Sequence, residues 1–271
     1  MKIDLHTHTT VSDGTLTPDQ IIKHAVNLRI EVLSITDHDT IDAIGHIEQI
    51  PAEINFINGV EISAEFPKTL HIIGYNFDSQ SQQLRDTLKE LQNFRKNRNN
   101  NMLKNMDKEG FHISMQELLK EAKGEIIGRP HFASLMVKKG YIPSYQEAFD
   151  KFLAKGKPLY LDKKRLEPKH AIEIILNAGG IPVIAHPYQT GLAEEELDSL
   201  IRKLKDFGLM GIEVFYSQHT KKQELQYLNY AQKYNLLITG GSDFHGENKP
   251  EIKLGMDISY KLIQPFLSKV S

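Results

Sequence analysis

The sequence predicts an α/β fold with a parallel sheet, interrupted by an inserted block of helices. Short apolar runs alternate with helix-like segments, which is the rhythm of βαβ units. Polar residues that bind metals well follow these runs, and side chains placed after successive parallel strands can converge on one point, as in (β/α) barrels. The strand pattern stops between about residues 82 and 160, which predicts the insertion.

The first part of the alternation extends to about residue 75. Apolar runs there predict buried strands at residues 1–5, 32–35 and 56–60. Between the first two strands, a helix is predicted to begin near Thr17. Thr17 can cap this helix, Pro18 suits its first position and Asp19 favours the positive end of its dipole.

Helical spacing dominates the middle of the chain. The polar stretch from Gln82 to Gly110 carries apolar residues at helical spacing. Further helices are predicted at residues 115–122, 130–139 and 145–153. We therefore predict a small helical domain at residues 95–160, inserted into an α/β body formed by residues 1–94 and 161–271.

The alternation resumes after Lys169, where a helix is predicted to end at Ala178. Two further helices follow, one near residues 194–207 and one ending at Tyr234. The predicted strands of this part are residues 181–185, 211–215 and 237–240.

Composition limits the kinds of function. The chain has 271 residues, a formal net charge of −2 and no cysteine. This charge gives no global attraction to nucleic acid or to an anionic membrane. Without cysteine, any metal ion must be held by imidazole and carboxylate groups, a ligand set that suits Zn²⁺, Mn²⁺ or Fe²⁺. No apolar stretch is long enough for a signal peptide or a transmembrane helix, so we expect a cytoplasmic location.

Nine potential metal ligands lie in short clusters associated with the apolar runs. His6 and His8 are two residues apart and share one face of a strand, which suits two imidazoles that bind one ion. Glu61 belongs to a buried strand, where a carboxylate is costly unless it is paired or binds a metal, and it could bridge two ions. The nine candidates are His6, His8, Asp13, His38, Glu61, His71, His186, Asp243 and His245.

Simpler roles are open for some polar residues. Asp13 lies in a Ser-Asp-Gly turn and could be a plain turn residue, and His71 could be a core histidine with satisfied hydrogen bonds. Glu213 lies within an apolar strand, where it either orients a ligand histidine or forms a structural hydrogen bond.

The polar clusters occur as ordered motifs. They are Asp4-Leu5-His6-Thr7-His8-Thr9 with Ser12-Asp13-Gly14, Thr36-Asp37-His38-Asp39, Gly59-Val60-Glu61, His71, Ala185-His186-Pro187 and Gly241-Ser242-Asp243-Phe244-His245-Gly246. With these motifs, the sequence resembles the PHP (polymerase and histidinol phosphatase) family of metal-dependent phosphoesterases. Gly128-Arg129-Pro130-His131 in the helical insert makes it most similar to the branch of nucleoside 3′,5′-bisphosphate phosphatases and 5′-to-3′ exoribonucleases.

The resemblance implies a distorted (β/α)₇ barrel that holds two to three divalent metal ions, Mn²⁺, Zn²⁺ or Fe²⁺. Glu61, Asp243 and His186 are the expected catalytic residues, and a hydroxide that bridges the ions is the expected attacking group. Carried over residue by residue, the first ion is held by His6, His8, Glu61 and Asp243, the second by Glu61, His71 and His186, and the third by Asp13, His38 and His245.

The resemblance also implies a small phosphorylated substrate, a nucleotide or a short RNA, with no membrane and no obligate protein partner. Arg129 is expected to hold a pair of phosphate oxygens. The other expected substrate contacts are His131, Lys157 and Lys163, for which packing inside the insert (His131) or ordinary solvation (the lysines) is the alternative.

Two other functions stay open. One is a histidinol-phosphate-type phosphatase, against which the Gly-Arg-Pro-His motif argues. The other is a catalytically idle metal-binding or interaction module, against which the complete ligand set argues.

Overall fold

The computed structural model describes residues 1–122, 127–162 and 164–270. Its strands are β1 Lys2–Asp4, β2 Val32–Ile35, β3 Asn55–Ala64, β4 Leu70–Tyr75, β5 Ile181–Ile184, β6 Gly211–Tyr216, β7 Leu237–Gly241 and β8 Met256–Asp257. They form one sheet in the order β7-β6-β5-β4-β3-β2-β1-β8.

The sheet curls into a nearly closed barrel because β7 returns to lie beside β1. The backbone N–H of Leu5 donates to the carbonyl of Gly240 at 3.2 Å, and that of Asp243 donates to the carbonyl of His6 at 2.9 Å. Gly241 permits this approach, since a Cβ atom there would collide with the backbone of His6. The α/β barrel predicted from the sequence is confirmed.

Strand β4 departs from a purely parallel barrel. The pairs β1–β2, β2–β3, β5–β6 and β6–β7 are parallel, but β4 pairs antiparallel with both β3 and β5. Only residues 65–69 separate β3 from β4, and this length allows a hairpin but not a crossover. His71, near the start of β4, therefore lies at the edge of the sheet where the parallel strands end.

Helices pack around the sheet, much as the periodicity predicts. They are α1 Pro18–Asn27, α2 Gln82–Lys108, α3 Met115–Ala122, α4 Arg129–Lys138, α5 Tyr145–Ala148, α6 Pro168–Asn177, α7 Glu194–Asp206, α8 Lys221–Tyr234 and α9 Tyr260–Val270. Thr17 caps α1 as predicted: its hydroxyl accepts the N–H of Gln20 at 3.3 Å, and the Gln20 side chain accepts the N–H of Thr17 at 2.9 Å.

Helices α2 to α5 share a hydrophobic cluster of their own, and α5 continues into a π-helical turn at Phe149–Leu153. The fully buried members of this cluster include Met102, Met106, Leu118, Phe132 and Met136. Residues 82–160 contain no strand in their described part. Helix α2 runs without a break through residues 94 and 95, so the predicted domain boundary falls inside a helix, and the division into two domains stays a prediction.

Neighbouring residues of the strands pack into different apolar clusters, as the period of two requires. In β4, Ile72 packs in the cluster that contains Ile172 of α6, whereas Ile73 packs in the cluster that contains Ile263 and Phe266 of α9. None of the helices in the described part of the chain combines the length and the hydropathy needed to cross a membrane.

Candidate metal centre

The predicted ligands lie at one end of the barrel because the strands deliver them there. His6 and His8 follow β1, His38 follows β2, and His186 follows β5. The pairing of the strands continues past their ends, with isolated bridges between His38 and Glu61 and between the residues Thr7 and Phe244. Backbone hydrogen bonds therefore hold the ligand-bearing loops next to one another.

All nine predicted ligands come close together. Each belongs to at least one group whose possible ligand atoms all lie within 4.8 Å of one another. The groups are His8, Asp13, His38 and His245; His6, Glu61 and His186; His6, His8 and Asp243; and His38, Glu61 and His71.

Glu61 lies at the centre of the cluster, and its two carboxylate oxygens face different histidines. Its Oε1 lies 2.7 Å from His71 Nδ1 and 2.9 Å from His186 Nε2. Its Oε2 lies 3.3 Å from His8 Nε2 and 3.4 Å from His6 Nε2. This arrangement is the one a bridging carboxylate needs.

Asp243 divides its contacts in a similar way. Its Oδ1 lies 3.2 Å from His8 Nε2 and 3.5 Å from His6 Nε2. Its Oδ2 accepts hydrogen bonds from the Tyr216 hydroxyl at 2.8 Å and from Lys249 Nζ at 2.6 Å. Oδ1 is thus the oxygen turned toward the histidine pair, while Oδ2 fixes the orientation of the carboxylate.

Asp13 lies in the outer part of the cluster, where its carboxylate is close to three histidines. Its Oδ1 lies 3.4 Å from His245 Nε2 and 3.6 Å from His8 Nδ1, and its Oδ2 lies 3.7 Å from His38 Nε2. The other ring nitrogen of His38 lies 2.9 Å from Glu61 Oε2, so His38 connects the inner and outer carboxylates.

The imidazoles determine the charge state of the carboxylates. Burial alone would raise the pKa of Glu61, but the surrounding histidines, first His38 and then His71, hold it well below its usual range. Burial lowers the pKa of His71 to about 4 against the opposing pull of Glu61, so His71 is neutral at pH 7. An ionised carboxylate beside a neutral imidazole is a suitable pair of metal ligands.

Several buried atoms of the cluster make no hydrogen bond of suitable geometry with the described residues, even where two of them lie as close as His38 Nδ1 and Glu61 Oε2 do. They are His6 Nε2, His8 Nε2, His38 Nδ1 and Glu61 Oε2. A buried polar atom without a partner is costly, and a cation bound among these four atoms would satisfy them. The imidazole and carboxylate donors suit a divalent ion, so the residues fit the expected metal.

Glu213 orients two of the histidines. It is fully buried, its Oε1 lies 2.9 Å from His6 Nδ1, and its Oε2 accepts the backbone N–H of His186 at 2.6 Å. A proton held on His6 Nδ1 leaves Nε2 available as a ligand. Of the two roles that the sequence leaves open for Glu213, the geometry favours the orienting one.

Asp37 holds the loop that carries the first ligands. Its carboxylate accepts the Thr9 N–H at 2.7 Å and the Thr9 hydroxyl at 2.6 Å, and it also accepts the Ser12 hydroxyl. These bonds fix the chain between His8 and Asp13. Asp37 is therefore not one of the clustered candidates, although it belongs to the same sequence motif.

Three residues of this end of the barrel have left-handed backbone conformations without being glycine. The φ angle is +54° at Asp39, +26° at His186 and +60° at Asp243. Such conformations cost free energy and persist where the surrounding contacts enforce them. At Asp39 the side chain accepts the N–H of Ser63 at 3.0 Å, which is one such contact.

A cavity of about 640 Å³ opens above the ligands, and we call it the metal cavity. The barrel contributes metal ligands to its wall, and helices α3 to α5 contribute Glu121, His131 and Tyr145. His131 Nδ1 accepts the N–H of Gly128 at 3.1 Å, so the neutral ring carries its proton on Nε2 as a donor. Among the predicted substrate contacts, His131 is the one that lines the metal cavity in the described part of the chain.

The other predicted substrate contacts lie elsewhere or outside the described residues. Arg129 donates to the carbonyl of Leu153 at 3.2 Å, and its guanidinium lies 4.8 Å from the ring centre of Tyr160. Lys157 is exposed and is not among the described residues that line the metal cavity. Lys163 lies outside the described residues. A phosphate contact stays a prediction for each of these residues.

Two basic residues of the metal cavity are not predicted from the sequence. Lys249 pairs with Asp243, and Arg95 of α2 lies 2.5 Å from Asp39 Oδ2. Lys249 lies only four residues after His245, and this proximity is a usable signal. Arg95 gives no signal because it is one of many charged residues on a polar helix.

The chain is similar to known proteins over most of its length. The family model described as "PHP domain" matches residues 4–206. The "5′-3′ exoribonuclease Rnm" of Salmonella typhimurium is 34% identical over 257 residues, which cover 93% of this chain and 87% of that protein. The "3′,5′-nucleoside bisphosphate phosphatase" of Chromobacterium violaceum is 32% identical over 248 residues, covering 90% and 87%.

A solved structure shows the same fold. An amidohydrolase from Chromobacterium violaceum, with bound sulfate and no metal, superposes with a TM-score of 0.82 at 30% sequence identity, covering 95% of this chain and 92% of that one. The family model and these relatives cover most of the chain, including the region that carries the candidate ligands from His6 to His186. The chain therefore belongs to the PHP domain family, and it is a metal-dependent hydrolase of phosphate esters.

Proposed function

We propose that this enzyme hydrolyses phosphate esters of nucleotides, either 3′,5′-nucleoside bisphosphates or the 5′ ends of short RNA. The observation that carries the proposal is that the two carboxylate oxygens of Glu61 face different pairs of histidines. Oε1 faces His71 and His186, and Oε2 faces His6 and His8. Relatives whose names specify a nucleoside bisphosphate and RNA support the choice of substrate.

The same geometry supports two to three divalent ions, Mn²⁺, Zn²⁺ or Fe²⁺. In this proposal each ion would have its own set of ligands, and Glu61 belongs to the sets of both the first and the second ion. The first set is His6, His8, Glu61 and Asp243, the second is Glu61, His71 and His186, and the third is Asp13, His38 and His245. His38 Nδ1 lies 2.9 Å from Glu61 Oε2, the oxygen that faces His6 and His8, and His38 Nε2 lies 3.7 Å from Asp13 Oδ2, so His38 stands between the first and third sets.

Divalent ions bound in this cluster would supply hydroxide at neutral pH and neutralise the charge that develops on the phosphoryl oxygens. The protein residues set the conditions for this chemistry. Glu61, Asp243 and His186 act as catalytic ligands, and Glu213 keeps the proton of His6 on the nitrogen that faces away from the cluster. Tyr216 and Lys249 hold Asp243 so that only its Oδ1 faces the histidines.

The substrate is proposed to occupy the metal cavity, whose volume of about 640 Å³ lies in the usual range for small-molecule sites. His131 would donate from Nε2, and Arg95 and Lys249 add positive charge to the wall. We further propose that residues 95–160 form a cap over the substrate, because the side chains of α3 to α5 line the cavity opposite the ligands.

Arg129, Lys157 and Lys163 are retained as proposed phosphate contacts. Arg129 would have to exchange its bond to the Leu153 carbonyl and its stacking on Tyr160 for a phosphate. That exchange makes Arg129 a candidate for a contact that forms only when substrate binds.

A phosphate-release screen with metal-loaded protein tests the proposal. The substrates are nucleoside 3′,5′-bisphosphates, mononucleotides, 5′-phosphorylated oligoribonucleotides (followed by release of mononucleotides) and histidinol phosphate, each with a chelator control. We expect the bisphosphates or the oligoribonucleotides to be hydrolysed most efficiently. A clear preference for histidinol phosphate would refute the nucleotide assignment, and metal binding without any hydrolysis would point to an idle module.

A further inference from the structure

A second cavity lies beside the metal cavity, and we call it the side cavity. Its volume is about 350 Å³, and it lies between helices α2 and α3 and two loops of the barrel. The barrel residues in its wall are Val11 and Thr40. Val11 lies between the predicted ligands His8 and Asp13, so the side cavity borders directly on the loop that carries them.

Arg95 connects the two cavities because it lines both of them. Its guanidinium lies 2.5 Å from Asp39 Oδ2, and the side chain of Gln92 donates to the carbonyl of Asp39 at 3.2 Å. These bonds fix the wall that the cavities share. The two cavities therefore adjoin at Arg95, so a ligand that spans this residue would place its phosphate in one cavity and the rest of the molecule in the other.

The side cavity is lined by apolar and by polar residues, which we call its apolar and polar walls. Val11, Met115, Leu119 and Ile127 form the apolar wall. Leu119 is 47% exposed, so part of its side chain is open to a ligand. No carboxylate lines the cavity in the described part of the chain, so it does not suit a cation.

Asn99 supplies a hydrogen-bonding group in the polar wall. It is only 3% exposed, and its Nδ2 donates to the carbonyl of Ile127 at 3.0 Å. Its Oδ1 has no hydrogen-bond partner among the described residues. A buried acceptor without a partner is costly, and a ligand that brings an N–H group would remove that cost.

We propose that the side cavity binds the nucleobase of the substrate while the metal cavity binds its phosphates. A base has flat apolar faces for the leucine and methionine wall, and its edge carries N–H groups for an acceptor such as Asn99 Oδ1. A phosphate could pair with Arg95 or Lys96, but it has no apolar face for Met115 and Leu119. A purely aliphatic ligand would leave Asn99 Oδ1 unsatisfied. This inference rests on the proposed nucleotide substrate and extends it to the part of the nucleotide that does not react.

The test compares how adenosine 5′-monophosphate and ribose 5-phosphate bind to the metal-loaded protein, by calorimetry. The two ligands differ by the base alone, and a nucleoside 5′-monophosphate is the product of both proposed reactions. We expect the nucleotide to bind at least about 10-fold more tightly, since burial of one face of a base removes substantial apolar area from water.

The matched variants are Leu119→Gln and Leu225→Gln. Leu119 lines the side cavity, whereas Leu225 is 64% exposed on α8 and serves as the control. Leu119→Gln should weaken nucleotide binding by about 3- to 10-fold and leave ribose 5-phosphate binding unchanged, whereas Leu225→Gln should change neither. Both positions are exposed enough for the variants to fold, and their melting temperatures check this.

Two results would overturn the inference. One is equal binding of nucleotide and ribose 5-phosphate to the unmodified protein. The other is an equal effect of Leu119→Gln on both ligands, or no effect on either. Each is distinct from failure of the proposed function, which appears in the screen as absence of both phosphate and mononucleotide release. That outcome does not depend on the binding difference between the two ligands.

Discussion

Glu61 is a buried carboxylate that depends on surrounding positive charge. Replacement by glutamine keeps the shape but removes the charge, so ions proposed to lie on either side of it would repel each other without compensation. We expect Glu61→Gln to lose at least one metal ion per chain and to lower turnover by several orders of magnitude with the fold intact. Elemental analysis, phosphate release and circular dichroism measure these effects.

The control for this variant is Glu65→Gln. Glu65 follows the same strand but is exposed, so its variant should keep both metal content and activity. Near wild-type turnover in Glu61→Gln would show that Glu61 is not the bridge.

Glu213 offers a second test at a single residue. The backbone N–H of His186 donates to one oxygen of Glu213, so in Glu213→Gln the amide oxygen stays there and the NH₂ group faces His6 Nδ1. That donor forces the proton of His6 onto Nε2, the nitrogen that faces the cluster. We expect metal affinity to fall by about 10- to 100-fold.

Competition with a metal-sensitive chelator dye measures the affinity. Glu251→Gln, at an exposed position, provides the control for the same chemical change. If the affinity of Glu213→Gln equals that of the unmodified protein, the bond between Glu213 and His6 does not govern the ligand state of His6.

Most of the candidate cluster is predictable from the sequence, because its histidines and carboxylates occur in short motifs associated with apolar runs. Lys249 and Arg95 are not predictable in this way, since charged residues are common on exposed surfaces and only the folded chain brings these two to Asp243 and Asp39. The roles assigned to Arg129, Lys157 and Lys163 follow from resemblance alone, and the geometry does not test them.

At the scale of the elements, the sequence predicts the bounds of a helix well where nearby residues determine them. The start of α1 follows from the cap at Thr17, and the predicted helix at residues 115–122 has the bounds of α3. The antiparallel direction of β4 does not follow from its own apolar pattern, because it depends on the short connection to β3. Strand β8 and helix α9 carry no strong motif, and the sequence pattern does not predict them.

Helix α4 carries the element-scale prediction. Arg129 is its first residue and is not a ligand candidate, so Arg129→Ala should leave metal content unchanged. If Arg129 contacts a phosphate during catalysis, the loss of this charge-assisted contact, about 1.5–3 kcal/mol, lowers catalytic efficiency on nucleotides by roughly 10- to 150-fold. Steady-state kinetics on a nucleoside bisphosphate measures the change.

An aryl phosphate identifies the phosphate that Arg129 holds. If Arg129→Ala lowers the catalytic efficiency on this simple ester as much as on the nucleotide, Arg129 contacts the reacting phosphate. If only the efficiency on the nucleotide falls, Arg129 contacts the phosphate that does not react. Arg202→Ala, at an exposed position of α7, is the control. A lower melting temperature with unchanged kinetics on both substrates would instead make Arg129 structural, through Leu153 and Tyr160.

At the scale of the whole molecule, the site exists because the barrel closes. Ligands between residues 6 and 71 and those between residues 186 and 245 come from separate parts of the chain. Backbone hydrogen bonds between the chain that follows β1 and the region of β7 bring them together. Such a long-range contact leaves little trace in any local window of sequence. Gly241 is one residue whose identity this closure explains, because a Cβ atom there would collide with His6.

Proton-linked metal binding is the prediction that belongs to the whole cluster. In the protein without cations, burial lowers the pKa of His6, but Glu213, Glu61 and Asp243 overcome this and raise it well above 6.5. The pKa of His8 is also raised, whereas that of His71 is lowered to about 4. At pH 7 the inner carboxylates are therefore balanced in part by protonated His6, whereas His71 is already neutral.

A histidine must lose its proton from the ligand nitrogen before it binds a metal ion. Metal uptake at pH 7 should therefore release protons, and metal affinity should rise as the pH rises through the raised pKa of His6. The raised pKa stabilises the metal-free fold below pH 6.5, and this contribution is lost as the pH increases through the folded-state value. The stability of the metal-loaded protein should instead increase with pH, since stabilisation by a ligand grows with its affinity.

Melting temperatures test this linkage across pH 5.5–8.5. The values measured with chelator and with Mn²⁺ should diverge toward alkaline pH, and calorimetry in two buffers of different ionisation enthalpy counts the released protons. Parallel melting curves together with metal uptake that releases no protons at pH 7 would show that metal ions do not replace protons in this cluster.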